Sequence, residues 1–340
     1  MHSPSVRSAA DPAAAGFRHE AAFYAGPRQF VERTAGFVRD ALDAGEPVLV
    51  AVVEPRAGLL RDALGADALR VEFLDMERVG RNPARIIPAW QDWADRNAPA
   101  GRRFRGVGEP VWKGRTPPEI AECEWHEALL NTAFDGGPDW WLICPYDTEN
   151  LGPDVIARAD CTHPSVLDGP DFVDGTARRH SAGYGYGYGY GEGWSGGEAM
   201  LRAPMEELAV ADLVFETEFG VDGLQQLRAG FARACAAAGL PGDRAEGFVL
   251  AAHELACNSI MHGGGSGALR LWRAEASLVC EVRDSGVITD PLVGRRRPGA
   301  TAEGGAGLWI ANRACDLLRI RSAPGTGTVV RMHIDLVECF

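Results

Sequence analysis

The sequence predicts two consecutive domains of mixed α and β structure. The first is a mainly parallel sheet covered by helices, and the second an α+β sandwich with helices on one face of a mixed or antiparallel sheet. Three observations predict this. A chain of 340 residues exceeds what one ordinary core organises. Across the first half, helical periodicity alternates with short apolar runs, the pattern of strands buried on both faces and joined by helices. A tract reading GYGYGYGYGEGWSGG at 183–197 then interrupts the chain with no branched aliphatic side chain from which to build a core.

In order along the chain, residues 1–15 are rich in Ala, Ser and Pro without periodicity and read as a frayed tail. The first domain spans 16–172. The stretch from Phe17 to Asp43 reads as an amphipathic helix that Gly45 stops, and the apolar run Val48 to Val53 as a buried strand. Further strands are expected near 69–75, 104–110 and 140–147, with a helix in PPEIAECEWHEALLNTAF. Residues 173–203 read as a Gly/Tyr-rich linker with a root-mean-square reach of roughly 30 Å; the alternating dipeptide is alternatively a self-association element that would favour a homodimer. The second domain, 204–340, opens with the strand-like LVFETEF. Helices follow near 222–239 and 242–262, then strands ALRLWRAE and SLVCEVRD, a polar loop with three arginines, a helix near 305–315, and strands LLRIRSAP and GTVVRMHIDL.

Charge and cysteine usage narrow the function. A formal charge of −13 argues against a direct nucleic-acid partner, because that affinity comes largely from Lys and Arg displacing counterions. No apolar run reaches the length of a membrane span and the N-terminus lacks a secretory core, so a cytoplasmic protein with no membrane partner is expected. The eight cysteines form no CxxC pair and read as buried free thiols of a reducing compartment. One alternative is a soft-metal site around Cys123 and His126 in CEWH, with Cys144, Cys161 and His163 downstream.

The most informative stretch is FVLAAHELACNSIMHGGGSG at 248–267. Leu250, Leu255, Ile260 and Met261 suit a buried helix, yet Glu254 and Asn258 lie four residues apart and share one face. An amide oxygen suits Mg²⁺, which takes few protein groups together with nucleotide phosphates, so Asn258 is a candidate metal ligand. Glu254, one turn earlier, is a candidate general base for an attacking hydroxyl. Downstream, VCEVRDSGV ends a strand in Asp284 followed by Gly286, a carboxylate placed to accept from an adenine amino group beside a residue that permits close approach. The sequence EGGAGLWIANRACD sets Gly304, Gly305 and Gly307 before a helix, whose free amides favour phosphate. Thr328 begins the last strand. GGGSGA at 263–268 leaves a helix and enters a strand, the reverse of a dinucleotide-binding turn, and no GxxxxGK[ST] phosphate loop occurs.

In that order these pieces resemble the N, G1 and G2 boxes and closing threonine of the GHKL (histidine-kinase-like, Bergerat) ATPase superfamily over about 204–336. The resemblance implies ATP and Mg²⁺ as cofactors, Glu254 as base, Asn258 as magnesium ligand, Asp284 with Gly286 at the adenine, Gly305 and Gly307 in the lid, and Thr328 at the nucleotide. The chain departs from the family at Ile288, where the first glycine box usually carries a second glycine. Arg295 to Arg297 are either counter-charges for a triphosphate or a solvated run. The phrase ELACNSIMHGG is similar to the anti-sigma regulatory factors, serine kinases that bind a sigma factor and phosphorylate a STAS-domain anti-anti-sigma protein. Residues 17–170, with HEAAFY, GEPVLV, GEPVW, EALLNTAF, WWLICPYD and THPSV, resemble the MEDS sensory domain, whose fold is similar to RecA-type sheets without their phosphate loop. His19, Tyr24, Glu109, Trp112, Glu124, His126, Asn131 and Tyr146 are candidate ligand contacts near the expected strand ends. A catalytically inactive module that sequesters its partner, and a small-molecule or metal sensor, are the alternatives.

Overall fold

A computed structural model describes residues 16–97, 102–168, 171–174, 196–209, 212–298 and 306–337. It divides into two compact units, with the boundary between residues 192 and 193.

The first unit is a seven-stranded sheet with order β3-β2-β4-β5-β1-β6-β7. Its strands are β1 (Phe17–Tyr24), β2 (Val48–Val52), β3 (Glu72–Asp75), β4 (Phe104–Gly108), β5 (Trp140–Asp147), β6 (Ser165–Asp168) and β7 (Asp171–Asp174). All neighbours run parallel except the β6–β7 pair. The helices are α1 (Gly26–Asp43), α2 (Glu54–Leu64), α3 (Met76–Val79), α4 (Ile86–Asn97), α5 (Pro117–Ala133) and α6 (Pro153–Thr162). The parallel sheet expected from the alternation of helices and apolar runs is present. VLVAV of β2 is buried at every position, as a central parallel strand requires. Helix α1 buries Phe30, Thr34, Phe37, Val38, Ala41 and Leu42 along one stripe at helical spacing, and Gly45, at φ 69°, turns the chain toward β2.

The reading of Phe17 to Tyr24 as the start of a helix is corrected. These residues form β1, in register with β5 on one side and β6 on the other. FRHEAAFY carries polar residues in a helix-like spacing, but in the sheet they are buried on both faces, and Gly26–Pro27 mark the true helix start. Strands β6 and β7 also lie where the sequence offered only short, mixed segments.

The second unit is a five-stranded antiparallel sheet, order β11-β12-β10-β9-β8. Its strands are β8 (Leu213–Gly220), β9 (Ser266–Arg273), β10 (Ser277–Asp284), β11 (Leu317–Ala323) and β12 (Gly327–Asp335). Its helices are α7 (Gly196–Arg202), α8 (Leu224–Ala237), α9 (Gly242–His262) and α10 (Ala306–Ala314). Helix α9 buries Phe248, Val249, Ala251, Ala252, Leu255, Ala256 and Ser259. Its alanines let the helix lie close to the sheet, where Leu269, Leu271, Cys280, Val282, Met332 and Ile334 complete the core. Leu250 and Met261, expected in the core, are instead 39% and 63% exposed, because they fall on the opposite side of α9.

The sheet face turned from those residues is charged. Glu216, Arg270, Glu281 and Arg331 are cross-strand neighbours from β8 to β12, and the buried Arg331 binds Glu281 at 2.6 Å and the Glu206 carbonyl at 2.8 Å. Thus residues before β8 pack on this sheet, and α7 falls inside the span read as linker. Among the described residues no helix is long and apolar enough to cross a membrane. Cys123, Cys144, Cys235, Cys280 and Cys315 are buried free thiols, whereas Cys161 is exposed.

Candidate functional site

In the second unit the predicted residues converge at the end of α9. The i,i+4 spacing places Glu254 and Asn258 on one helix face, both half-buried. Asn258 lies against the first turn of α10, where a Cβ added to Gly307 would stand 2.7 Å from Asn258 Nδ2. The residue after Asn258 points the other way: the buried Ser259 hydroxyl donates to Asp284 Oδ2 at 2.7 Å. Asp284 ends β10, and its Oδ1 accepts from the Gly286 amide at 2.8 Å. Helix α9 therefore carries the base and amide candidates and also orients the adenine candidate.

Gly286 has the close-approach role expected of it, since a Cβ there would meet the His262 carbonyl oxygen at 2.6 Å and Gly263 Cα at 2.8 Å. Thr328 sits opposite Asp284 in the β10–β12 register, and its hydroxyl donates to the Gly286 carbonyl at 2.9 Å. Ser322, which the sequence reading missed, stands 2.7 Å from Thr328 Oγ1, and its hydroxyl accepts from the Ile288 amide at 2.8 Å. The backbone at the departed glycine position is thus held by a serine–threonine pair. Asn312, also missed, donates to the Gly294 carbonyl at 2.9 Å and fixes the loop after Ile288 to α10. Gly304 and Gly305 lie outside the described residues. The arginine run does not act as one set: Arg295 is buried, while Arg296 and Arg297 are exposed. A cavity of about 190 Å³ opens on the charged outer face, lined among others by Glu207, Glu216, Arg270, Trp272 and Arg283. It contains none of Glu254, Asn258 and Asp284, and its mixed charged lining gives no adenine-like slot.

An amide at the helix face, a carboxylate one turn away, a held aspartate and a close backbone at Gly307 are a donor set that fits a magnesium nucleotide. Asn258 would hold the ion and Asp284 the base.

The eight candidates of the first unit do not form one pocket. Tyr24 and Glu109 meet at the carboxyl ends of β1 and β4, where the Tyr24 hydroxyl donates to Glu109 at 3.3 Å. Arg56 bridges Glu109 at 3.0 Å and Asp147 at 2.9 Å. Burial lifts the Glu109 carboxyl to about 8, against the pull of Arg56. His19 and Asn131 belong to a second cluster deeper in the domain: His19 Nδ1 lies 3.2 Å from Asn131 Oδ1, and His19 Nε2 lies 2.9 Å from Glu127. His163 Nε2 reaches the same Glu127 oxygen at 2.8 Å, Cys144 Sγ is 3.4 Å from His19 Nε2, and the Tyr146 ring stands edge-on to His163. Burial, with His163 alongside, lowers the His19 pKa; burial would raise that of Glu127, but the two imidazoles outweigh it and hold the carboxyl well below its usual range. Trp112 stacks under Arg115, Glu124 pairs with Arg158, and His126 is buried apart from both clusters. Of the sequence's metal candidates, Cys144 and His163 come together. Cys123 instead donates to the Pro110 carbonyl, and the exposed Cys161 lies outside the cluster. Glu127 was missed, being one acidic residue among several on α5.

Comparison with known proteins agrees with this division. The family model for MEDS, the "MEthanogen/methylotroph, DcmR Sensory domain", matches residues 18–164. That for the "Histidine kinase-like ATPase domain" matches residues 220–334. No curated protein matches the chain. Among solved structures, one described as an ATPase domain is similar at 8% identity over 45% of this chain and 68% of that chain, with a TM-score of 0.30, and nothing below rests on it. The chain is a MEDS sensory domain fused to a histidine-kinase-like ATPase domain.

Proposed function

We propose that this chain is an anti-sigma regulatory kinase, which binds a sigma factor and transfers the γ-phosphoryl group of ATP to a serine of a STAS-domain protein under the influence of its sensory half. The observation that carries the reading is that one helix, α9, presents Glu254 and Asn258 on one face while its Ser259 holds Asp284. Bound Mg²⁺ would neutralise phosphate charge and draw electrons toward the leaving ADP oxygen. Asn258 positions that ion, and the tight approach of Gly307 limits the amide's freedom. Asp284, fixed by two donors, accepts from an exocyclic amine and so selects adenine. Glu254 takes the proton of the seryl hydroxyl as its oxygen bonds to phosphorus. Incubation of the full chain with radiolabelled Mg-ATP and a cognate STAS protein should give phosphoserine that Glu254→Ala abolishes without loss of fold. Absence of Glu254-dependent phosphoserine removes the kinase assignment.

One observation favours a second reading, partner sequestration without transfer. Ile288 occupies a position that the superfamily usually gives to glycine, and its amide is committed to Ser322. Thermal stabilisation by Mg-ATP without phosphoserine would select this reading.

A further inference from the structure

Four side chains from four parts of the sensory domain meet in its interior: His19 on β1, Glu127 on α5, Cys144 on β5 and His163 at the end of α6. All are buried, and one ligand atom from each lies within 4.8 Å of the others. We infer that these four residues form a zinc site that ties β1 and β5 to the two helices packed on them.

The hydrogen bonds of the two rings carry the argument. Asn131 Nδ2 donates to the Thr162 carbonyl at 3.0 Å, which turns its Oδ1 toward His19, so His19 Nδ1 is the ring's donor. His163 Nδ1 faces the Ala159 carbonyl at 2.7 Å and is likewise a donor. In the neutral rings both Nε2 atoms then carry lone pairs, and both point at the same Glu127 oxygen from 2.8 and 2.9 Å. Lone pairs and a carboxylate repel unless something positive stands between them. Neither Glu127 oxygen nor His163 Nε2 has a hydrogen-bond partner of acceptable geometry. Protonating both rings would supply the missing donors but leave two imidazolium rings 4.1 Å apart in a water-free interior, with a net positive charge after Glu127 is counted.

A divalent cation removes the conflict. Two neutral imidazoles, one thiolate and one carboxylate around Zn²⁺ leave the interior without net charge, the thiol proton of Cys144 passing to solvent as the metal binds. The orienting bonds from Nδ1 to Asn131 and Ala159 are the outer contacts that metal-bound histidines ordinarily make. Donor atoms of a tetrahedral zinc site lie roughly 3.3–3.6 Å apart. Cys144 Sγ and His19 Nε2 already do, at 3.4 Å, and the two His–Glu contacts need to open by about 0.5 Å. Thiolate with imidazole selects zinc over the hard cations Mg²⁺ and Ca²⁺, and four protein donors make a closed shell of structural type.

The test uses the full chain. Protein produced with zinc in the medium should hold about one zinc per chain by elemental analysis. Exchange for Co²⁺ should give the intense visible bands of tetrahedral cobalt and a near-ultraviolet thiolate charge-transfer band. Cys144→Ser should lose the charge-transfer band, while Cys123→Ser, whose sulfur lies outside the cluster, should keep it. Substoichiometric zinc together with only weak octahedral cobalt bands in the wild type overturns the site, whatever the variants do. Equal loss of the charge-transfer band in both cysteine variants overturns the assignment of Cys144.

Discussion

Gly307→Ala separates the site from the fold. The new Cβ would lie 2.7 Å from Asn258 Nδ2 and 3.3 Å from its Cγ, with no other heavy atom as near. Carbon contacts settle at about 3.5–4.0 Å, so the amide must retreat by roughly 0.8 Å. Gly307 has no positive φ and stands in the first turn of α10, and alanine there should leave stability unchanged or raise it by up to about 1 kcal/mol. The amide is the proposed magnesium ligand, and displacing a positioning group by about 1 Å costs on the order of 100-fold in rate. Magnesium-dependent phosphoryl transfer should therefore fall between about 10- and 100-fold while the thermal midpoint holds. The assay is a rate titration in Mg²⁺ alongside a melting curve on the same preparation. A variant that transfers at the wild-type rate with the same Mg²⁺ dependence would refute the role given to Asn258.

Further outcomes follow from the same geometry. Ser259→Ala removes one of the two donors to Asp284 without opening a cavity larger than a hydroxyl; ATP affinity should drop about tenfold, since a hydrogen bond to a charged group is worth roughly 1.5–3 kcal/mol, and this is read by competition with a fluorescent nucleotide. His333 titrates near 4 because burial, then Arg319 and Arg331, disfavour its charged form. Its folded pKa lies below the unfolded value of 6.5, so its contribution is complete above 6.5 and is lost as the pH falls toward 4, by at most about 3 kcal/mol. Denaturant titrations of His333→Gln from pH 7 to 4 should show a shallower loss than the wild type, and equal slopes would discard this source.

The second domain was legible almost strand by strand, and the reasons are local. Its helix α9 alternates small and polar residues at 3.6-residue spacing, and each site residue announces itself by a neighbour: Asn258 beside Ser259, Asp284 before Gly286, Gly307 at a helix start. What local pattern could not give was the partner of each group. Ser322 and Asn312 are ordinary polar residues until β11 meets β12 and α10 meets the loop at Gly294. Arg295 looked like its two neighbours until the loop buried it. In the first domain β1 was misread because a strand buried on both faces has no alternation to display, and His19 and Glu20 broke the apolar run that would have betrayed it. The His19–Glu127–Cys144–His163 cluster was half seen. Its members are far apart in the chain, and only the order β5-β1-β6 with α5 against β1 brings them together.

The central claim is that α9 carries a magnesium-nucleotide site, and calorimetric titration of ATP into the full chain tests it most directly. The account predicts saturable binding that weakens when Mg²⁺ is chelated, and an Asn258→Ala variant that has lost this magnesium dependence while keeping its fold. No heat of binding, or binding of equal strength with and without Mg²⁺ in the wild type, would contradict it.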